Sequence, residues 1–319
     1  MKSDQASSTA KLIAASTILL ASDPRTATLV APGARALCER FLCGRLADRM
    51  LAKSASFAPT RMLWRMLERM LLPGIIAHYW HRKRWIERQC RESIATGFHR
   101  VVVIGAGFDT LALRLAPEFP HIDWIEIDHP ATQRAKRRAL GGELAPNMRF
   151  VAVDLATDPL PTEFFDDGRA TLFIAEGVLM YLSPKAIERL FQALAALHAP
   201  SIRLVFSFMS KWPDGSTGFR PRSRWVEWWL AWRSERFAWS MEVQRIGGFL
   251  QCFELAPIEV TTVQELAAEV EISHSLLVGE NFVLCEKTRA RQPAASVALG
   301  SRDAGNDEPG NTSATKDQI

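Results

Sequence analysis

The sequence predicts an α/β, Rossmann-like fold: a seven-stranded, mostly parallel sheet with helices on both faces. Three observations point there. From about residue 100, short apolar runs alternate with helix-period segments, the pattern of strands joined by crossover helices. The stretch VVVIGAGFDT, residues 101–110, runs a buried strand into a glycine turn. Successive strands then end in acids, Asp128, Asp154 and Glu176.

The elements follow in order. The first hundred residues read as mostly helical. An apolar run over 12–21 is about half the length a membrane span needs. The segment 62–80, rich in Leu, Met and Trp but interrupted by Arg65, Glu68 and Arg69, reads as one amphipathic helix. A helix over 79–96 ends at Gly97. Strands are expected at 100–105, 123–127, 148–153, 171–175 and 202–208, with helices at 109–115, 130–140 and 184–197 between them. Ser183 and Pro184 suit the N-cap and first turn of the last of these. Beyond residue 208 a segment dense in tryptophan and arginine breaks the pattern, with a helix expected over 223–237. Two further strands, 253–260 and 281–286, bracket a helix near 263–270. The expected organisation is a helical N-terminal extension (1–97), an α/β domain (98–287) with a tryptophan-rich lid inserted at about 211–240, and a disordered tail (288–319). That tail is small and polar, with almost no large apolar residue.

Composition narrows the function classes. With 48% hydrophobic and 23% charged residues in 319, the chain is a globular protein, and a net charge of +4 supplies no warrant for a nucleic-acid partner. The five cysteines, Cys38, Cys43, Cys90, Cys252 and Cys285, are scattered without metal-site spacing. They read as reduced thiols in a cytoplasmic protein, with no metal and no membrane partner.

Gly105 and Gly107 let the backbone approach a nucleotide at the N-terminus of the next helix. A dinucleotide fingerprint wants a third small residue where this chain has Thr110, which weakens the case for NAD. Asp128, at the end of the second strand, suits a ribose diol, because a carboxylate accepts two hydrogen bonds. Asp154 suits an adenine amine and Leu155 the adenine ring. Glu176 suits a cationic sulfonium or amino group, for which a dehydrogenase has little use.

IGAGFDT, EIDHP and AEGVLMYL, in this order, resemble the leucine carboxyl methyltransferase family of S-adenosylmethionine enzymes, more closely its bacterial branch, often associated with polyketide O-methylation. The likeness extends to SSTAKLIAAS, HRKRWIE and SERFAW, covering roughly residues 7–287. It implies a class I methyltransferase sheet, S-adenosylmethionine as cofactor, and a small-molecule acceptor methylated on a carboxylate or hydroxyl. It also implies that Arg82 holds the methionine carboxylate and that Gly105, Gly107, Asp128, Asp154, Leu155 and Glu176 line the cofactor. Leu111 departs from the arginine common in bacterial relatives.

Tyr181 is expected beside the acceptor, and Arg220, Arg222 and Trp225, with Trp212, Trp228 and Trp229 nearby, could hold an anionic planar one. His129 and His198 are weaker candidates for a base. Methylation of a protein C-terminus and a non-catalytic cofactor-binding role are the rival readings. A nucleic-acid methyltransferase is disfavoured by the lack of an Asn-Pro-Pro-Tyr motif and of a separate basic domain.

Overall fold

The computed structural model describes residues 7–232, 237–269 and 277–287. Five helices come first: α1 (Ser8–Ser22), α2 (Ala34–Phe41), α3 (Leu46–Ser56), α4 (Ala58–Leu71) and α5 (Ile75–Ala95). The single helix expected over 62–80 is in fact two. Pro73 cannot continue the helical hydrogen bonding, and Gly74 adopts φ 87° to start α5 in a new direction.

The alternating part runs β1 (Arg100–Ile104), α6 (Leu111–Glu118), β2 (Asp123–Asp128), α7 (Pro130–Leu140), β3 (Met148–Ala152), β4 (Thr171–Ala175), α8 (Pro184–Ala196) and β5 (Ile202–Met209). Then come α9 (Arg224–Trp232), α10 (Ile246–Gln251), β6 (Leu255–Thr262), α11 (Val263–Ala268) and β7 (Glu280–Lys287). Ser183 caps α8, accepting from the Ala186 amide as its position predicts. The helix expected over 223–237 is described only to Trp232, and Phe237 is not helical. Residues 234–236 of SERFAW, Val270 and the tail expected to be disordered lie outside the described residues.

The seven strands form one sheet in the order β3-β2-β1-β4-β5-β7-β6. β1 to β5 pair in parallel, whereas β7 runs antiparallel to both β5 and β6. Alternation along each strand sorts the core onto two faces. Val102, Ile104, Ile125 and Phe173 meet α8 on one side, and Val101, Val103, Trp124 and Leu172 meet α5 and α6 on the other. A third cluster joins Ile18 and Leu19 of α1 and Phe41 of α2 to Phe108 and Leu140. No helix among the described residues is long and apolar enough to cross a membrane.

Building order reverses between β1 and β4, so their connections leave in opposite directions and open a crevice at the carboxyl edge of the sheet. Gly105 follows β1 and Glu176 follows β4, one on each side of that crevice.

Candidate functional site

A cavity of about 240 Å³ occupies the crevice. Its lining includes Arg82, Gly105, Gly107, Asp128, Asp154, Leu155, Glu176 and Tyr181, brought from five separate stretches of chain.

The turn after β1 is held by one carboxylate. Gly107 N donates to Asp128 Oδ2 and His129 N to Asp128 Oδ1, both at 2.7 Å. Burial raises the Asp128 pKa against these two N–H bonds. A carboxylate offers about four lone-pair sites, so roughly two acceptor positions remain beyond those two bonds. Gly105 (φ 69°) and Gly107 (φ 51°) both occupy left-handed backbone, and a Cβ on Gly105 would stand 2.5 Å from Val178 Cγ2. Thr110 is the N-cap residue of α6 rather than part of the turn, its amide donating to Asp109 Oδ1.

Beside this turn lies a network of buried charge. Arg82 Nε donates to Glu176 Oε1 at 2.9 Å, and Nη1 reaches both oxygens of Glu280 at 3.0 Å. Lys83 bridges Asp109 at 2.7 Å and Glu176 at 2.9 Å, while His78 Nε2 lies 2.6 Å from Glu280 Oε2. Burial alone would raise the Glu280 pKa, but Arg82 and His78 bring it down to about 2. Burial likewise opposes the charges on Arg82 and Lys83, and their carboxylate partners outweigh it and raise both pKa values. Glu176, expected from the sequence beside a cationic sulfonium or amino group, is paired within the protein to Arg82 and Lys83. Both its oxygens are engaged, because α5 crosses beneath the end of β4, a contact spanning 94 residues of chain.

On the far side of Asp128, Asp154 is 38% exposed and accepts from the Ala156 amide, while Leu155 packs against the core. His129 caps α7 through Nδ1, which accepts from the Ala131 amide, and His198 is at the surface paired with Asp166. Aromatic and apolar side chains in the wall include Ile13, Tyr79, Met180, Tyr181, Phe219 and Phe237, with Ser7, Thr9 and Thr132 adding polar groups. Tyr181 and Phe237 rings stand 5.7 Å apart, and Ala238 N bonds Met180 O at 2.7 Å, tying the inserted segment to the loop after β4.

Arg220, Arg222 and Trp225 are not among the lining residues. Arg220 bonds Val278 through both backbone groups and turns its guanidinium to Asp214, 2.6 Å away, over the Trp212 ring. Arg222 is exposed, and Trp225 is 74% exposed on α9. Trp228 and Trp232 stack on each other on the same helix, and the side chain of Trp229 lies outside the described residues. The inserted segment thus lines the cavity with Phe219 and Phe237, flanking residues that the density of tryptophan obscured.

Lys83, Glu280, His78 and Tyr79 were also missed. Lys83 adjoins Arg82 in HRKRWIE and was within reach of a sequence reading. Glu280 was not: a search for acids at the carboxyl ends of strands passes over the first residue of β7, which reaches the same edge only because β7 is reversed.

Comparison with known proteins shows the family and the fold. The family model described as "Leucine carboxyl methyltransferase" matches residues 6–195. A protein of Mycobacterium tuberculosis (strain ATCC 25177 / H37Ra) named "Putative S-adenosyl-L-methionine-dependent methyltransferase" is 44% identical over 119 residues, 35% of this chain and 34% of its own. One of the same name from Mycobacterium avium (strain 104) is 36% identical over 145 residues, 42% of this chain and 43% of its own. The chain thus matches well under half the length of these curated relatives. A solved structure from Thermobifida fusca YX titled "putative methyltransferase" shares the fold, with a TM-score of 0.52 at 17% identity, over 79% of this chain and 94% of its own.

Proposed function

Because the chain belongs to the leucine carboxyl methyltransferase family, we propose that it is an S-adenosylmethionine-dependent O-methyltransferase acting on a small-molecule carboxylate or hydroxyl. The observation that carries this reading is the Asp128 clasp. A carboxylate that closes the glycine turn and keeps acceptor capacity at the cavity fits a ribose diol. Asp154 and Leu155 would serve the adenine. Gly105, Gly107, Arg82 and Glu176 would serve the amino-acid end, where the Arg82, Lys83, Glu176 and Glu280 network presents fixed charges of both signs.

S-adenosylmethionine supplies a methyl group on a good leaving group, so the protein's task is to hold donor and acceptor in line and exclude water. Ile13, Met180, Phe219 and Phe237 offer the dry wall, with Tyr181 beside the acceptor. A carboxylate acceptor is already ionised and needs only this positioning, whereas a hydroxyl needs a base. Aromatic side chains of the inserted segment in the cavity wall favour a small acceptor over a protein C-terminus.

Calorimetry with S-adenosylhomocysteine and NAD tests the reading. We expect binding of the former alone, lost in Asp128→Ala; tight binding of NAD would overturn it. Transfer of labelled methyl to an extract of the source cell separates enzyme from silent binder, and base lability of the product separates ester from ether.

A further inference from the structure

Helix α4 is amphipathic the wrong way round. Met62, Met66 and Met70 recur every four residues, Leu63 and Leu67 stand beside them, and all five are exposed, Met62 at 77%. The polar side faces the protein instead. Arg65 pairs with Asp23, Arg61 donates to Ser56 O and Trp64 Nε1 to Ser54 Oγ, and Glu68 accepts from the Ile76 amide. No residue of α4 is buried. Leu46, Met50 and Phe57, each more than 60% exposed on and just after α3, extend the apolar surface. A contiguous exposed apolar surface on a folded protein marks an interaction site.

Charge identifies the partner. Arg45, Arg49, Lys53 and Arg69 are exposed along α3 and α4. The only two acids between residues 43 and 71 are turned inward, Asp48 onto Lys11 and Glu68 onto the start of α5. An apolar helical face rimmed by exposed cations, with the neighbouring acid Glu39 paired to Arg35, matches an anionic bilayer, where the apolar side chains enter the headgroup boundary and Lys and Arg reach the phosphates. A two-fold contact with a second copy would bring these like charges together. The chain's own residues 288–319 contain only Val297, Leu299 and Ile319 as large apolar groups to cover the surface.

We propose that the outward face of α4, with the exposed residues of α3 and Phe57, seats on the surface of an anionic lipid membrane. The helix lies in the interface without crossing it, as its 14 residues require. The proposal is independent of the cofactor reading.

Sedimentation of the full chain with vesicles tests it. Vesicles of phosphatidylcholine and phosphatidylglycerol in equal parts should bind the protein about tenfold or more tightly than phosphatidylcholine alone, with binding falling as salt rises. Met62→Glu with Met66→Glu should lower that binding about tenfold or more while leaving thermal melting unchanged, because both side chains already face water. Lys53→Glu with Arg69→Glu should lower it without touching the apolar face. Failure of the wild type to bind the anionic vesicles would overturn the proposal, as would undiminished binding by the methionine variant. So would binding lost only in Trp225→Ala with Trp228→Ala, which assigns it to α9, or a concentration-dependent dimer abolished by the methionine substitutions without vesicle binding.

Discussion

Arg82 on α5 holds Nη1 3.0 Å from each carboxylate oxygen of Glu280, the first residue of β7, 198 positions along the chain. Both side chains are almost wholly buried. Removing one partner leaves the other buried charge only partly compensated, by Glu176 for Arg82 and by His78 for Glu280, so Glu280→Gln or Arg82→Met should each cost about 1–3 kcal/mol in urea unfolding. The double variant Arg82→Met/Glu280→Leu should cost clearly less than the sum. Additive costs would mean that the two charges do not stabilise each other.

Stability should respond to pH in two windows of opposite sign. Glu280 is held at about 2, below its ordinary 4.5. Its contribution is present above 4.5 and is lost as pH falls toward 2. Glu126 is the reverse. Burial raises it to about 7 despite Lys136 Nζ at 2.6 Å, so the folded state retains a proton that the unfolded chain releases, and stability declines between about 4.5 and 7. Urea midpoints against pH should flatten in the acid window for Glu280→Gln and in the upper window for Glu126→Gln. An unchanged slope in either variant would contradict the assignment.

Gly105→Ala should destabilise by about 1–3 kcal/mol, since the new Cβ meets Val178 Cγ2 at 2.5 Å and Val178 Cβ at 2.7 Å while φ stays at 69°. Val178→Ala in the same chain should recover only part of the loss, because it removes the Cγ2 contact and leaves both the Cβ at 2.7 Å and the left-handed backbone. Full recovery, read in guanidinium unfolding, would show that φ carries no cost there.

On the proposed reading, Tyr181→Phe and Phe237→Ala alter the acceptor side of the cavity alone. Once an acceptor is known, KM for it should rise several-fold while affinity for S-adenosylhomocysteine stays within about twofold. Loss of S-adenosylhomocysteine binding in either variant would assign that wall to the cofactor.

The sequence by itself determined the order and type of the elements of the sheet. The unbroken apolar runs over 101–104 and 172–175, the cap at Ser183 and the glycines at 105 and 107 are local properties, each readable within a dozen residues. They also carried the resemblance to the family and the acids at the ends of β2, β3 and β4. Only the tertiary structure decided which groups those acids meet. Glu176 is neutralised by Arg82 and Lys83 from α5, and Glu280 joins them because β7 is antiparallel. The same holds for the outward turn of α4, whose apolar periodicity marks a helix but not which side faces the protein. The ion pair of Arg65 with Asp23 on the residue after α1 and the bonds of Glu68 and Trp64 set that. Periodicity is a property of neighbours in sequence, whereas charge compensation in a buried site depends on partners tens to hundreds of residues apart, and folding alone brings those together.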